Sequence, residues 1–457
     1  MGNDVSIDEM IARWHEANTP PGEPVGLDNE RMMEDIEQLF LPSKDKPVAA
    51  ATVLGQIKLD FLETILLRKF DKAPYYPPLA MMRGVLLQKK KKLSWRGLPR
   101  YLKVYPDEAY RMGFIEMDGK PKIPSHELFR TFVQERVDWD EIRDAILAEF
   151  VPIAKKQGIR LGSQCTEDST MIESVENDPE AKYNGHYKKI GYKEDLITCR
   201  GTGLPILNMT IGATNCEGHV LIPQIEHLII LGIQIEDIWV DGTYATFENI
   251  AIAHVLLGIR LHYQVQEDWV VKKEGTPEYI KKLYQQFWQN QEFRSNANLN
   301  EMMAILARKG RLLVDTGRCM QKIAVLKGAW GDGKRTRRGR PTREDNDAQE
   351  HFYEGERTIN EGMRFLEPVG AYFRNIVMGA AEKDPEGMKK DKGKRQWAES
   401  INNHLKNDLG LQEGLRVKGM RKVHIHDTLG CIFLLLIGLH KVRNDVIKDL
   451  ASLVGIE

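Results

Sequence analysis

The sequence lacks the features that mark several classes of protein. Cysteine is scarce: the 457 residues contain five, at positions 165, 199, 216, 319 and 431, and no two of them form a Cys-x-x-Cys pair. This spacing gives neither a disulfide framework nor a zinc ribbon, so a reducing, cytoplasmic compartment is expected. The sequence also has no excess of charge of one sign. The net charge of -1 excludes a uniformly basic nucleic-acid binder, and any such role needs local basic patches.

Long apolar runs and internal repeats are absent too. The longest apolar run, Leu429 to Leu439, is shorter than the ~20 residues that span a bilayer, and it predicts a buried helix or strand. Residues 1–18 are polar and have no apolar signal core, so no membrane segment is expected. With 42% hydrophobic and 29% charged residues, the composition is that of a globular protein long enough for several domains.

Helical patterns dominate residues 1–155. Apolar residues recur at helical spacing in Leu59 to Leu67, Leu79 to Leu87 and Trp139 to Phe150, and Ser125 is placed to cap a helix. These patterns predict a mostly helical N-terminal region.

From residue 156 the pattern changes to short strands. Three are predicted at Ile159 to Thr166, Asp195 to Cys199 and Ile206 to Ala213, with Gly201-Thr202-Gly203 as the hairpin turn between the last two. A helix, a strand, a helix and a strand then follow, at 218–231, 235–240, 247–257 and 261–265. This order predicts an α/β fold with an RNase H-like mixed sheet flanked by helices, by analogy alone.

Residues 266–390 interrupt this pattern and predict a long insertion. They combine an aromatic helix, Tyr279 to Phe293, with a Gly- and Arg-rich run, Gly333 to Arg343. We therefore predict four segments: the N-terminal helical region at 1–155, the first part of the α/β domain at 156–265, the insertion at 266–390, and the second part with C-terminal helices at 391–457.

Two aspartates stand at predicted strand ends. Asp168 ends the first strand, and Asp241 directly follows the buried strand at 235–240. Carboxylates at the ends of neighbouring strands can converge, and their oxygens are the ligands that Mg²⁺ or Mn²⁺ prefers. Two such ions, ~3.5–4 Å apart, can activate a water or a 3′-hydroxyl and stabilise the leaving oxygen of an in-line displacement.

A helix predicted at Lys394 to Lys406 carries a third carboxylate, Glu399. Arg395 lies four residues before Glu399 and Lys406 seven after it, so the three side chains share one helix face. Taken singly, each acidic residue has a plainer interpretation: Asp168 as a helix cap, Asp241 as a turn residue and Glu399 as part of a solvated charged face. The order of two aspartates and a helical glutamate, with Arg and Lys in register, favours a metal site.

These residues resemble the DDE transposases of bacterial and archaeal insertion sequences, in the branch named for the signature Tyr-x2-Arg-x3-Glu-x6-Lys. Arg395, Glu399 and Lys406 match its spacing, whereas Lys392 stands where the signature has Tyr. Further matches are Asp168-Ser169-Thr170, Asp241-Gly242-Thr243-Tyr244, Gly191-Tyr192-Lys193 and Asn215-Cys216-Glu217. The resemblance covers about 160–265 and 394–442.

The resemblance implies a cut-and-paste enzyme that cleaves DNA strands and transfers them. Asp168, Asp241 and Glu399 would be the catalytic residues and would hold two Mg²⁺ or Mn²⁺ ions, while Arg395 and Lys406 would contact DNA phosphates. The partners would be double-stranded transposon ends and target DNA, bound by a homodimer. The enzyme would work in a prokaryotic cytoplasm, associated with the nucleoid, and the insertion would shape the DNA channel.

Local basic patches are candidates for DNA contact. The run from Lys89 to Lys103 interleaves Trp95 and Tyr101 with basic residues that can neutralise phosphates, or it forms a solvated helix face. The DNA-binding candidates in this run are Lys90, Lys91, Arg96, Arg100 and Lys103. Arg337 and Arg338 lie in the Gly-rich run of the insertion, which is either a DNA-binding or a plain surface loop.

Three further motifs leave alternatives open. Trp288 and Trp330 suit either base stacking or core packing. In His424-Ile425-His426-Asp427, alternation places both histidines on one strand face, as a metal pair or as partly exposed residues.

Two other functions compete with the transposase. A non-catalytic DNA-binding relative would not need three carboxylates facing phosphates. A phosphatase with an Asp nucleophile would need Asp two residues before Asp168, where Thr166 stands.

Overall fold

The computed structural model describes residues 56–68, 70, 74–115, 121–263, 370, 374, 396–412 and 417–452. Most of the predicted insertion, including Arg337, Arg338, Trp288 and Trp330, lies outside the described residues, as does Arg395. The described residues belong to two compact units. One contains those up to Ile146 together with 408–410 and 428–452, and the other contains those within 147–407 and 411–427.

The first unit is helical, as the apolar spacing predicts. A 3-10 turn at Asp60–Leu62 leads into the first helix. The helices up to residue 146 are α1 (Glu63–Leu67), α2 (Pro78–Lys90), α3 (Gly97–Val104), α4 (Pro106–Met112), α5 (His126–Thr131, continued by a π turn at Phe132–Arg136) and the start of α6 (Trp139–Lys156).

Capping and close packing explain why these helices form where they do. The predicted cap is confirmed: the Leu128 amide donates to Ser125 Oγ at 3.3 Å, which satisfies one of the free N–H groups at the start of α5. Phe114 and Phe129 pack edge-to-face with ring centroids 5.8 Å apart. Both rings press on Gly84 of α2, where a Cβ would lie 2.9 Å from the Phe129 ring. The absence of a side chain at Gly84 therefore lets the two rings fill the core.

The second unit is built on a six-stranded mixed sheet. Its strands are β1 (Gln164–Glu173), β2 (Lys182–Asn184), β3 (Lys189–Cys199), β4 (Pro205–Gly212), β5 (Asp237–Trp239) and β6 (Arg260–His262). The strand order is β2-β3-β1-β5-β6, and β4 also pairs with β3. Pairing is antiparallel between β3 and each of β1, β2 and β4, but parallel from β1 to β5 and from β5 to β6.

Helices flank this sheet in the predicted order: α7 (Leu221–Ile230, after a 3-10 turn at Glu217–His219), α8 (Phe247–Ala251, continued by a π turn at Ile252–Leu256) and α9 (Gln396–Asn403, continued by a π turn at His404–Asp408). Helix α10 (Met420–Arg443), which was not predicted over this range, has residues in both units. The hairpin turn at 201–203 is confirmed, because the Gly203 amide donates to the Cys199 carbonyl at 2.7 Å. Helix α10 is long and apolar enough to span a bilayer, but 78% of its most apolar 18-residue stretch is buried inside the protein.

The first predicted strand is misplaced. Instead of ending at Thr166, β1 begins at Gln164 and runs to Glu173. Gly158 and Gly162, both with positive φ, turn the chain before it. Its polar residues remain in the strand because β3 pairs along its length and β5 pairs with its first part. Asp168 therefore lies within a strand and not at its end.

Candidate functional site

The parallel pairing of β1 with β5 brings the two predicted aspartates to the same end of this strand pair. Thr166 pairs with Trp239 at the last paired position, and Asp168 and Asp241 each follow two residues later, Asp168 within β1 and Asp241 in the chain that leaves β5. Neighbouring strands lie roughly 4.8 Å apart, which makes this edge a place where two carboxylates meet. Asp241 itself follows β5, and its Oδ1 accepts from the Gly242 amide at 2.7 Å, so the predicted turn role is also real. Both aspartates are half-buried.

Tyr187 joins this pair, although the sequence did not single it out. Burial, followed by the charges of Glu217 and Asp168, raises the pKa of Tyr187; Asp241 adds to the rise, and a hydrogen bond with Ser169 opposes it. The phenol is therefore protonated at neutral pH and can donate a hydrogen bond. Its surroundings also show that three carboxylates concentrate negative charge at this point of the sheet.

Glu217 is the third carboxylate of this group and is held by two neighbours. Its Oε1 lies 2.6 Å from Lys193 Nζ and accepts from the Ser169 hydroxyl at 3.1 Å. Lys193 is itself buried and donates to the Asn215 carbonyl at 2.8 Å. A buried Lys–Glu pair of this kind fixes the start of the loop after β4 beside β1. In the sequence, Glu217 and Lys193 stood out only as parts of motifs that resemble the transposase family.

Lys406 also lies near the first aspartate. Burial lowers the pKa of Lys406, the positive charge of Lys189 lowers it further, and Asp168 raises it. Helix α9, which precedes Lys406, packs against β1 and β3. Lys406 falls in the π turn at His404–Asp408, so the α-helical register predicted from Glu399 to Lys406 does not hold over its last turn.

Glu399 lies on α9 with an exposed side chain. In the part of the chain that the structure describes, no group of three or more His, Cys, Asp or Glu side chains is arranged to hold a metal ion. The structure thus places Asp168 in β1, Asp241 just after the neighbouring β5, and Glu399 on α9, which packs against β1 and β3. It does not gather the three into a ready-made ligand cluster, and the two-ion site stays a prediction.

A second set of acids lies in the sheet interior and is chemically distinct. Glu167 and Asp195 are fully buried, and the Tyr244 hydroxyl donates to Asp195. Burial, with the charge of Asp195 next, raises the pKa of Glu167 well above its usual range, and burial likewise raises the pKa of Asp195. These two carboxyls therefore favour the neutral form, unlike the solvated metal ligands that the sequence predicts. Strand alternation turns Glu167 away from the face that Asp168 occupies.

The basic candidates of the N-terminal region lie in the first unit. Four of them are exposed and one is half-buried: Lys91, Arg96, Arg100 and Lys103 are exposed, and Lys90 is half-buried. Lys89, which belongs to the same run, is only 2% exposed and cannot contribute to a binding surface. The basic run therefore covers the end of α2 and the short helix α3, and its cationic surface is smaller than the number of basic residues in the sequence suggests.

The His424 to Asp427 motif is not a strand. It lies in α10, where His424 and Asp427 meet the hydroxyl of Thr210. Glu194 Oε2, Asp427 Oδ2 and His424 Nδ1 lie 2.7, 3.1 and 3.2 Å from Thr210 Oγ1, whose one proton they share. The alternation of polar and apolar residues gave the wrong prediction here because α10 is buried on most sides, and its buried polar residues are satisfied by hydrogen bonds with neighbouring elements.

Comparison with known proteins adds little to this geometry. No protein-family model and no curated protein matches the chain. Among solved structures, a cryo-EM structure of a piggyBac transposase synaptic complex with hairpin DNA is 13% identical, covering 88% of this chain and 85% of that one, with a TM-score of 0.25. A TM-score this low does not support a conclusion about the fold or the function of the chain.

Proposed function

We propose that the chain is a DDE-type DNA transposase with an RNase H-like catalytic domain. The sheet supports the fold: strands β4, β3 and β1 are antiparallel neighbours, and β5 and β6 continue from β1 in parallel. These directions agree with the RNase H-like sheet expected from the sequence.

The observation that carries the activity is that Asp168, in β1, and Asp241, just after β5, each follow the last β1–β5 pair by two residues, while α9, which packs against β1 and β3, carries Glu399. All three offer carboxylate oxygens, the donors that suit Mg²⁺ and Mn²⁺. Burial raises the pKa of the nearby Tyr187 phenol, and the charges of Glu217, Asp168 and Asp241 raise it further. A divalent cation would offset this negative charge, and carboxylates are the donor type that it prefers.

In the proposed mechanism Asp168, Asp241 and Glu399 would hold two divalent ions, whose Lewis acidity would serve to activate a water or 3′-hydroxyl and to stabilise the leaving oxygen. Lys406, which lies near Asp168, binds a phosphate of the strand being cut. Arg395, outside the described residues, is proposed to contact DNA one turn before Glu399.

The proposed substrate is double-stranded DNA: the two ends of an insertion sequence and a target, held by a homodimer during cut-and-paste transposition. The N-terminal helices would contribute DNA contacts and dimerisation, and the insertion would shape the DNA channel. The proposed setting is a prokaryotic cytoplasm, at the nucleoid.

Glu399→Gln tests this function directly, because it keeps the side chain's size and removes its charge. DNA carrying the element's own ends is incubated with Mg²⁺ or Mn²⁺. We expect metal-dependent nicking by the wild type and a loss of roughly 10²-fold or more in the variant, with DNA binding retained. Asp168→Asn and Asp241→Asn should behave alike.

Glu176→Gln is the matched control, since Glu176 is an exposed carboxylate of the same unit in the loop after β1. It should cut like the wild type. Equal cutting by Glu399→Gln and wild type would remove Glu399 from the ligand set. Binding without cutting by any protein, wild type included, would instead favour a non-catalytic DNA-binding relative.

A further inference from the structure

Helix α10 begins without a capping side chain of its own. Its first residue, Met420, follows Gly419. The Gly419 carbonyl accepts from the amides of Lys422 and Val423, both at 3.1 Å, which makes Gly419 the N-cap. Serine, threonine, aspartate or asparagine at this position would accept from the free N–H groups of the first turn, whereas glycine has no side chain to do so. The amides at the start of α10 therefore depend on acceptors from elsewhere in the chain.

Two carboxylates of the loop between β1 and β2 supply these acceptors. Glu180 Oε2 accepts from the Met420 amide at 2.8 Å, and Asp178 Oδ2 accepts from the Gly419 amide at 3.0 Å. A carboxylate is well placed there because the N-terminus of a helix is the positive end of its dipole. The approach depends on glycine, since Gly419 has a φ of 90° and an added Cβ would lie 3.0 Å from Glu180 Oε1. The β1–β2 loop thus caps α10.

Asp178 also connects this cap to the sheet. The same Oδ2 accepts from the Tyr192 hydroxyl at 2.9 Å, and Tyr192 lies in β3 opposite Ile172 of β1. Burial, followed by the hydrogen bond with Asp178, raises the pKa of the buried Tyr192, so the phenol keeps the proton that it donates. One oxygen of a half-buried carboxylate therefore joins β3 to the start of α10.

A further hydrogen bond ties the chain that leaves α9 to the end of β1. Gln412 Oε1 accepts at 3.2 Å from the amide of Glu173, the last residue of β1. The Leu411 amide donates to the Leu405 carbonyl at 2.9 Å, which keeps this chain attached to the π turn of α9. The chain after α9 and the chain after β1 are therefore joined both at Gln412 and at the cap of α10, within the second unit.

The side chains that make these connections form what we call the clasp: Asp178, Glu180, Tyr192 and Gln412. We propose that the clasp sets the position of α9 on β1, and with it the place of Glu399 relative to Asp168. Its role in cleavage rests on the proposed function. Glu173, where the clasp meets β1, lies five residues after Asp168, or about 16 Å along the strand, so the clasp does not touch the proposed metal ligands.

Hydrogen bonds suit this task better than the apolar contacts of α9 do. Ile401 and Leu405 are buried, but the burial of apolar surface is non-directional and leaves a helix free to shift along a sheet. Hydrogen bonds require defined distances and angles, so they select one position. A shift of 1 Å at a reacting group can cost on the order of 10²-fold in rate. The clasp residues are therefore positioning residues, which act on the chemistry only through α9.

Hydrogen exchange of the full-length protein, followed by mass spectrometry, tests the clasp without any need for activity. Asp178→Ala removes the shared acceptor, and Glu176→Ala, at an exposed carboxylate of the same loop, is the matched control. We expect Asp178→Ala to speed exchange about tenfold or more at 417–423, where the cap is lost, and also at 396–408, in α9 and its π turn. Asp178→Asn keeps an acceptor oxygen and should restore most of the protection. Helix α2 should exchange alike in all of these proteins.

Cleavage of DNA carrying the element's ends is then followed across a Mg²⁺ titration. Asp178→Ala should bind DNA in EDTA like the wild type but cut about tenfold more slowly or worse at saturating DNA. It should also need about tenfold more Mg²⁺ for half of its maximal rate, because a displaced Glu399 holds the ions less well. A loss of folded protein alone would lower the amount of active enzyme and leave the Mg²⁺ requirement unchanged.

Glu180→Ala, at an exposed side chain, repeats the test in case Asp178→Ala does not fold, and should speed exchange in the same two segments. Faster exchange confined to 417–423 would reduce the clasp to a helix cap and overturn the inference, whether or not the wild type cuts DNA. An unchanged rate and Mg²⁺ requirement in a folded Asp178→Ala, beside a wild type that cuts, would also overturn it. Faster exchange in α9 with a wild type that does not cut would uphold the clasp and overturn the transposase.

Discussion

Glu167 and Asp168 are adjacent in the chain but differ in their chemistry. Asp168 is half-buried beside Lys406 and Tyr187, whereas Glu167 is fully buried, with both carboxylate oxygens lacking a hydrogen-bond partner. Burial raises the pKa of Glu167, so the folded state holds its proton at a pH where the unfolded chain has lost it. The protein must then lose stability as the pH rises above the unfolded value of about 4.3.

Glu167→Gln tests this linkage, because the amide stays neutral at every pH. We expect the variant to be more stable than the wild type at pH 8, by an amount on the order of 1 kcal/mol, and no more stable at pH 4. Urea unfolding from pH 4 to 8 measures the difference. Glu176→Gln, at an exposed glutamate, should track the wild type across the range. A parallel pH dependence for Glu167→Gln and wild type would contradict a neutral Glu167.

The individual site residues were predictable only to the extent that the local sequence marks them. Asp241 follows a short apolar strand, so its place at the sheet edge could be predicted from neighbouring letters. Tyr187 and Glu217 could not be found this way, because they reach the site through the pairing of β3 with β1 and through the loop after β4. No local pattern encodes contacts between residues that lie 48 positions apart, as Ser169 and Glu217 do.

At the scale of elements, β3 depends on Gly191, which the sequence marked only as part of a motif that resembles the transposase family. A Cβ at Gly191 would lie 1.9 Å from the Ile172 carbonyl oxygen of β1, a distance that no relaxation of side chains can relieve. Gly185, in the adjoining turn, has no atom within 4 Å of such a Cβ. The two glycines of one hairpin therefore differ sharply in what they tolerate.

Gly191→Ala should separate β3 from β1 locally and destabilise the protein by about 1–3 kcal/mol, the usual cost of overpacking. Gly185→Ala should be nearly neutral, and thermal unfolding of the pair measures the contrast. Equal unfolding midpoints for the two variants would show that β3 does not approach β1 this closely at Gly191.

The order of the elements was more predictable than their number or extent. The predicted alternation of helix, strand, helix and strand after residue 218 is confirmed. The start of β1 was wrong, and β2 was missed, because both depend on β3 as a partner and not on their own hydrophobicity. In α10 the alternation of polar and apolar residues from His424 to Asp427 suggested a strand. The sequence could not show that Asp427 contacts Thr210, because the two residues are distant in the chain.

At the scale of the whole molecule, a net charge of -1 allows strong DNA binding only if basic residues act locally. In the first unit, Arg100 is exposed on α3, within the basic run that was predicted to meet DNA. Arg130 is also exposed, but it already forms an ion pair with Glu127 at 2.7 Å. Arg100, in the basic run, can therefore be compared with Arg130, which belongs to an isolated ion pair in the same unit.

Arg100→Gln should therefore weaken DNA binding and reduce the slope of log K against log salt by about 0.9, since one phosphate contact and its counterion release are lost. Arg130→Gln should leave the slope unchanged. Fluorescence anisotropy on a duplex of fixed length, from 50 to 200 mM salt, measures both. The effect should be the same on unrelated sequences, because phosphate contacts carry no base information. An unchanged slope in Arg100→Gln would make this run a solvated helix face, and DNA contact would then fall to the turn and helix beside the acidic site.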